Sequence, residues 1–173
     1  KLVSLPVSHR DHRTDGYLAK AADVVGIERL HFETGAQLLE INSIFQLLAI
    51  AEKTPDELTK THSLQLMPDL ILHALTGVIG TEYTIASTTG LYDTQRNEWA
   101  YGLAKDLGIP MHFFGQVEDP GTFRGVLRSE IQAKTGIGPL KCIATASHDT
   151  AAAVVATPLE SPGSAYISSG TWS

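Results

Sequence analysis

Cysteine is almost absent from this sequence: Cys142 is the only one in 173 residues. One thiol makes no intrachain disulfide, so a reducing cytoplasm is the expected setting. Long apolar runs are missing too. None approaches the roughly 20 residues that span a bilayer, and Pro6 and His9 interrupt any leader-like start. Positive charge is in short supply, with 13 Lys and Arg against 19 Asp and Glu and a formal net charge of -6. That argues against a nucleic-acid surface, and an anionic cosubstrate would need local positive groups. Three mechanistic signatures are lacking: Gly-x-x-x-x-Gly-Lys-Ser/Thr, Gly-x-Gly-x-x-Gly and Gly-x-Ser-x-Gly. P-loop, Rossmann dehydrogenase and serine hydrolase readings therefore have no support. There is no internal repeat and no low-complexity run.

What remains is ordinary globular material, 43% hydrophobic and 18% charged, of a length that fits one domain or part of a larger one. The pattern predicts a short strand over residues 2–7. Helices follow over 15–25, stopped by Gly26, and over 28–33, stopped by Gly35. Ile44, Leu47, Leu48 and Ala51 form one apolar stripe and predict a helix over 43–52. Thr54-Pro55-Asp56-Glu57 reads as a new helix start with a capping box. Met67-Pro68-Asp69 opens another helix, ending near Gly77. Residues 81–91 read as a hydroxyl-rich loop. Further helices are expected over 98–107 and 129–134. The last third predicts a buried strand at 141–146, a turn at 147–150, a closely packed helix at 151–156, a linker at 158–163 and a strand at 165–168. The sequence stops directly after that strand and turn, so we expect a piece of a larger protein.

Three places could carry chemistry. Ser147-His148-Asp149-Thr150 sits where a strand turns into a helix, and open α/β sheets bind ligands at that edge. Asp149 could accept a proton from a hydroxyl nucleophile or hold a cation. Equally, it could do no more than cap the next helix. Ser168-Ser169-Gly170-Thr171 could bring backbone N–H groups to phosphate oxygens, or could be an ordinary turn. His9, Arg10, Asp11, His12 and Arg13 read as a solvated salt-bridge cluster and not as a metal site. No residue is assigned as a metal ligand. Asp119-Pro120-Gly121-Thr122 imitates an Asp-x-Gly-Thr phosphate loop, yet Gln116-Val117-Glu118 precedes it and Pro120 has no N–H. It is assigned to a surface turn.

The runs Arg10-Asp11-His12-Arg13-Thr14-Asp15-Gly16, Ala146-Ser147-His148-Asp149-Thr150-Ala151 and Ala165-Tyr166-Ile167-Ser168-Ser169-Gly170-Thr171-Trp172-Ser173 together resemble the FGGY carbohydrate kinases. Met67-Pro68-Asp69, Glu82-Tyr83-Thr84 and Ala86-Ser87-Thr88-Thr89 match the same family. Three matches in order are more specific than any one. The Arg10 to Gly16 run favours the family's rhamnulokinases over its L-fuculokinases. The resemblance implies an α/β, ribonuclease H-like fold of the actin/hexokinase ATPase type, present here only in part. Residues 1–157 would be part of the N-terminal sugar-binding domain, 158–163 a linker, and 164–173 the first strand of the C-terminal ATP-binding domain. It further implies phosphoryl transfer from ATP, with Mg²⁺, to the 1-hydroxyl of L-rhamnulose. Asp149 then resembles the proton acceptor, His148 and Thr150 the ketose contacts, and Thr171 a contact to ATP phosphates. The rest of the parent kinase chain is the expected partner, without which the piece itself is expected to be inactive. Neither nucleic acid nor membrane is implied. A non-catalytic sugar-binding relative is the remaining alternative, against which intact Asp149 and Thr171 speak.

Overall fold

Glycine ends several of the helices in this chain. Gly26, Gly35 and Gly136 each follow a helix at positive φ, where a residue without Cβ carries no steric penalty. The computed structural model describes residues 1–170. In chain order the elements are a 3₁₀ turn (His12–Thr14), α1 (Tyr17–Val25), α2 (Ile27–Thr34), α3 (Ser43–Lys53), α4 (Pro55–Lys60), α5 (Met67–Thr76), β1 (Thr81–Glu82), α6 (Tyr83–Ala86), a 3₁₀ turn (Ser87–Thr89), β2 (Tyr92–Asp93), β3 (Glu98–Trp99), α7 (Tyr101–Asp106), β4 (Val117–Glu118), β5 (Phe123–Val126), α8 (Ser129–Thr135), β6 (Lys141–Ile143) and α9 (Asp149–Ala156). Among the described residues no helix is long and apolar enough to cross a membrane.

The chain forms two compact units. The first holds residues 1–66 and 86–117. Its core is apolar, with Ala21, Leu30, Ile44, Phe45, Leu91, Leu103 and Phe113 almost fully buried. Each large side chain of this kind contributes about 1.5–3 kcal/mol by leaving water. The buried residues of α3 are Ile44, Phe45, Leu47 and Ala49; the expected stripe had Leu48 and Ala51 in place of Phe45 and Ala49. The helix is covered by α1, α4 and both 3₁₀ turns, so its buried arc is wider than one stripe.

Four expectations for this unit are corrected. Residues 2–7 form no strand, and Leu2, Val3, Leu5 and Val7 stay exposed. Thr54 does occupy the N-cap of α4, but its side chain makes no cap bond. The carboxylate of Glu57 is instead taken by the Ser4 hydroxyl at 3.0 Å, so no capping box forms. The helix expected over 98–107 begins only at Tyr101, because Glu98 and Trp99 pair with Asp93 and Tyr92 in an antiparallel hairpin. Asp93 Oδ1 accepts the N–H groups of Gln95 and Arg96, both at 2.9 Å, and Asn97 takes a positive φ. Those bonds close a turn that a helical pattern in the sequence conceals. Finally, residues 87–89 are a 3₁₀ turn in place of loop, with the Thr89 hydroxyl donating to Ala86 O at 2.6 Å.

The second unit holds residues 67–85 and 118–173. Its most deeply buried side chains are Arg124, Glu82 and Asp69. Strands β5 and β6 pair antiparallel, Phe123 opposite Ile143 and Val126 opposite Lys141, with an irregularity between. The strand runs inside out: Arg124 is buried while Phe123 and Val126 are exposed. Strand β6 is correspondingly not the buried strand expected at 141–146. Its only ladder partner among the described residues is β5, and Ile143 is exposed while Ala144 is buried. Helix α9 starts two residues before the expected 151 and buries none of its residues, so the close packing expected of it does not occur. Residues 165–168 carry no strand.

Candidate functional site

A buried carboxylate organises the turn that leads into α9. Glu82 follows Thr81 in β1 and is almost fully buried. Its Oε1 accepts the N–H of Thr84 at 2.8 Å. Its Oε2 accepts the Thr84 hydroxyl at 2.6 Å and the Ile85 N–H at 3.2 Å. The same oxygen accepts the Ser147 hydroxyl at 2.6 Å and the Ser147 N–H at 3.2 Å. Thr84 Oγ1 in turn accepts the N–H of His148 at 3.1 Å. Burial pushes the Glu82 carboxyl up, but the hydrogen bonds from Ser147 and Thr84 outweigh it and hold the group below its ordinary value.

Behind Glu82 lies a second layer. The backbone N–H of Glu82 donates to Asp69 Oδ1 and Oδ2 at 3.2 and 3.4 Å. Asp69 Oδ1 also accepts from Arg124 Nη2 at 2.9 Å. Arg124 Nε pairs with Glu118. Burial raises the Asp69 carboxyl, and the Arg124 guanidinium offsets part of that rise. Asp69 is held where it is by its place in the first turn of α5.

The predicted residues fall on this frame as follows. His148 occupies the N-cap position of α9 in an extended conformation, with no side-chain cap bond. Asp149 is the first helical residue, and its side chain is 92% exposed. Asp149 Oδ1 accepts the N–H of Thr150 at 2.7 Å and lies 3.5 Å from His148 Nε2. It is therefore not the N-cap of α9, although a carboxylate in the first turn still suits the helix dipole. His148, Asp149 and Thr150 are brought together at one solvent-facing helix start. Thr171 lies outside the described residues. Residues 119–122 form a turn in which the Thr122 hydroxyl donates to Asp119 O at 2.7 Å. In the Arg10 to Gly16 run, Asp11 Oδ1 accepts from the N–H and Nε of Arg13 at 2.9 and 3.2 Å, and His12 pairs with Asp15 at 3.0 Å. These contacts lie at the surface.

Sequence reasoning passed over Glu82 as a structural centre. The available signal was weak: a glutamate two residues before a threonine in a hydroxyl-rich stretch. Its other partner, Ser147, lies 65 positions away, and no local pattern reports such a pairing.

A protein from Pectobacterium atrosepticum named rhamnulokinase is 42% identical over 171 residues, covering 99% of this chain and 34% of that protein. One of the same name from Yersinia pestis is 39% identical over 173 residues, covering all of this chain and 35% of its own length. The chain thus spans about a third of the length of the curated relatives it matches. Among solved structures, a xylulose kinase from Lactobacillus acidophilus superposes with a TM-score of 0.73 over 81% of this chain and 29% of its own, at 20% identity. The fold is that of the FGGY sugar kinases, the α/β actin/hexokinase-type ATPase fold expected from the sequence. The model of the "FGGY family of carbohydrate kinases, N-terminal domain" matches residues 1–156, and the chain belongs to that family.

Proposed function

We propose that this chain is part of an ATP-dependent kinase that phosphorylates the 1-hydroxyl of L-rhamnulose, giving L-rhamnulose 1-phosphate and ADP. Family membership supports sugar phosphorylation. The names of the relatives at 39–42% identity support the ketose. The observation that carries the mechanism is the exposed carboxylate of Asp149 at a helix start whose preceding turn is pinned from below. In this reading residues 1–157 belong to the sugar-binding domain, 158–163 link it onward, and 164–173 open the ATP-binding domain. The family match ending at residue 156 supports that division. The reaction would take place in the cytoplasm, consistent with the single free Cys142.

Phosphoryl transfer passes through a loose transition state, so alignment and charge neutralisation matter most. Asp149 would accept a hydrogen bond from the ketose 1-hydroxyl, aim its oxygen at the γ-phosphorus, and take the proton as the new O–P bond forms. His148 and Thr150, on either side, would hydrogen-bond other sugar hydroxyls. Thr171 would meet the phosphates. Mg²⁺ would offset phosphate charge.

The test is Asp149→Asn in the full-length protein. Asparagine keeps the size but removes the basic charge. The kcat should fall by roughly 10²–10⁴, the scale of general-base catalysis, with ketose KM little changed. That is about 3–5.5 kcal/mol of barrier. A folded variant retaining more than about a tenth of wild-type kcat would contradict the base assignment.

A further inference from the structure

Asp149 itself makes few contacts that could fix its direction. Its side chain is exposed, and among the described residues its one short hydrogen bond comes from the adjacent Thr150 N–H. Where the carboxylate points is therefore set by the backbone that delivers it. That backbone is held at two consecutive residues. Ser147 gives both its N–H and its hydroxyl to Glu82 Oε2. His148 gives its N–H to Thr84 Oγ1, which itself donates to Glu82.

A glutamate at the start of α6 could serve only that helix. The bonds from the N–H groups of Thr84 and Ile85 already do so. Such a cap does not call for the two bonds from Ser147 or for the bridge through Thr84 to His148. Nor does it require the Glu82 backbone to be fixed in turn by the buried Asp69–Arg124 pair. We propose that Glu82 is a positioning residue for Asp149, acting through Ser147 and Thr84 to fix the turn from which Asp149 projects. This rests on the reading of Asp149 as the base. The anionic form of Glu82, favoured by its donors, is the form that can accept all of these bonds at once. In Glu82→Gln the amide brings N–H groups into a site already filled with donors, so at least one bond is lost.

The experiment is a double-mutant cycle in the full-length protein, reading kcat, the KM for ketose and ATP, and the far-UV spectrum. Glu82→Gln should lower kcat by roughly 10–10²-fold, the scale of a displacement of about 1 Å at a reacting group, while ATP KM stays within about twofold. Ser147→Ala, which removes one of the bonds, should lower kcat less. Glu82→Asp keeps the charge and should recover part of the loss. In an Asp149→Asn background both Glu82→Gln and Ser147→Ala should cost less than about threefold, because residues acting as a unit are not additive. A purely structural role predicts the full factor again in that background, and this result would overturn the proposal. So would wild-type kcat in Glu82→Gln. Should Glu82→Gln fail to fold, the Ser147→Ala cycle decides by the same criterion. An Asp149→Asn enzyme with normal kcat would remove the base reading and the positioning role with it. A normal Asp149 loss with multiplicative Glu82 effects would remove the positioning role alone.

Discussion

Replacing Arg124 with methionine removes the cation that two carboxylates share inside the second unit. Arg124 and Asp69 are only 1% and 2% exposed as side chains and meet at 2.9 Å, while Glu118 is 24% exposed. Glu118 can turn toward water once its partner is gone. Asp69 has no such route, and among the described residues what remains to it is the one Glu82 N–H, shared between its two oxygens. Breaking a buried pair by deleting one partner typically costs about 3–5 kcal/mol. The aliphatic part of methionine refills much of the space, so the penalty falls on charge and not on a cavity. With a urea m-value of about 2 kcal/mol/M, the midpoint should drop by about 1.5–2.5 M. Far-UV circular dichroism of the full-length protein across a urea series measures it. The further change Asp69→Asn should recover part of the loss, since an amide oxygen still accepts from Glu82 and no bare charge stays buried. A midpoint shift under about 0.5 M for Arg124→Met, equivalent to about 1 kcal/mol, would refute the reasoning.

Gly80→Ala should cost about 1–3 kcal/mol by overpacking, because a Cβ there would sit 2.5 Å from Arg124 Cζ and Nε and the guanidinium is held by two carboxylates; a wild-type melting point would contradict this. The Glu82 carboxyl is held below its ordinary value, so its contribution is present above the unfolded pKa of about 4.3 and fades as pH falls through the folded value. The stability gap between wild type and Glu82→Gln should therefore be wider at pH 7 than at pH 3, and urea midpoints showing an equal gap would argue against it. In the full-length enzyme kcat/KM should be highest for L-rhamnulose among L-rhamnulose, L-fuculose, D-xylulose and glycerol. Preference for any other acceptor would reject the ketose and leave the family untouched.

Local rules served well at the glycine stops and at the proline start of α4, though not at its expected capping box. Gly26, Gly35 and Gly136 end helices where glycine at a stop position should, and Pro55 opens α4 at its first turn. They failed where the outcome depends on a distant partner. An apolar run such as 141–146 reads alike whether covered or bare, and only the pairing with β5 shows that Ile143 faces out. Phe123-Arg124 invites the opposite assignment of inside and outside from the one found. The carboxylates that reverse it come from Asp69 and Glu118, of which Asp69 is 55 positions away.

The same division runs through the site. The helix start that presents His148, Asp149 and Thr150 was legible as a short-range pattern, while the roles proposed for them come from the family resemblance. The support of that helix start was not legible, because it is built from Glu82, Thr84, Asp69 and Arg124 in three separate segments. The two layers also differ in what water does to them. Asp149 is exposed, as the proposed contact with a substrate hydroxyl requires. Glu82 is buried and saturated with donors, so it is poorly placed to react but well placed to resist displacement. A base needs an open lone pair, and a support needs none left over. That contrast fits the work proposed for the two acids, Asp149 as the base and Glu82 as its support.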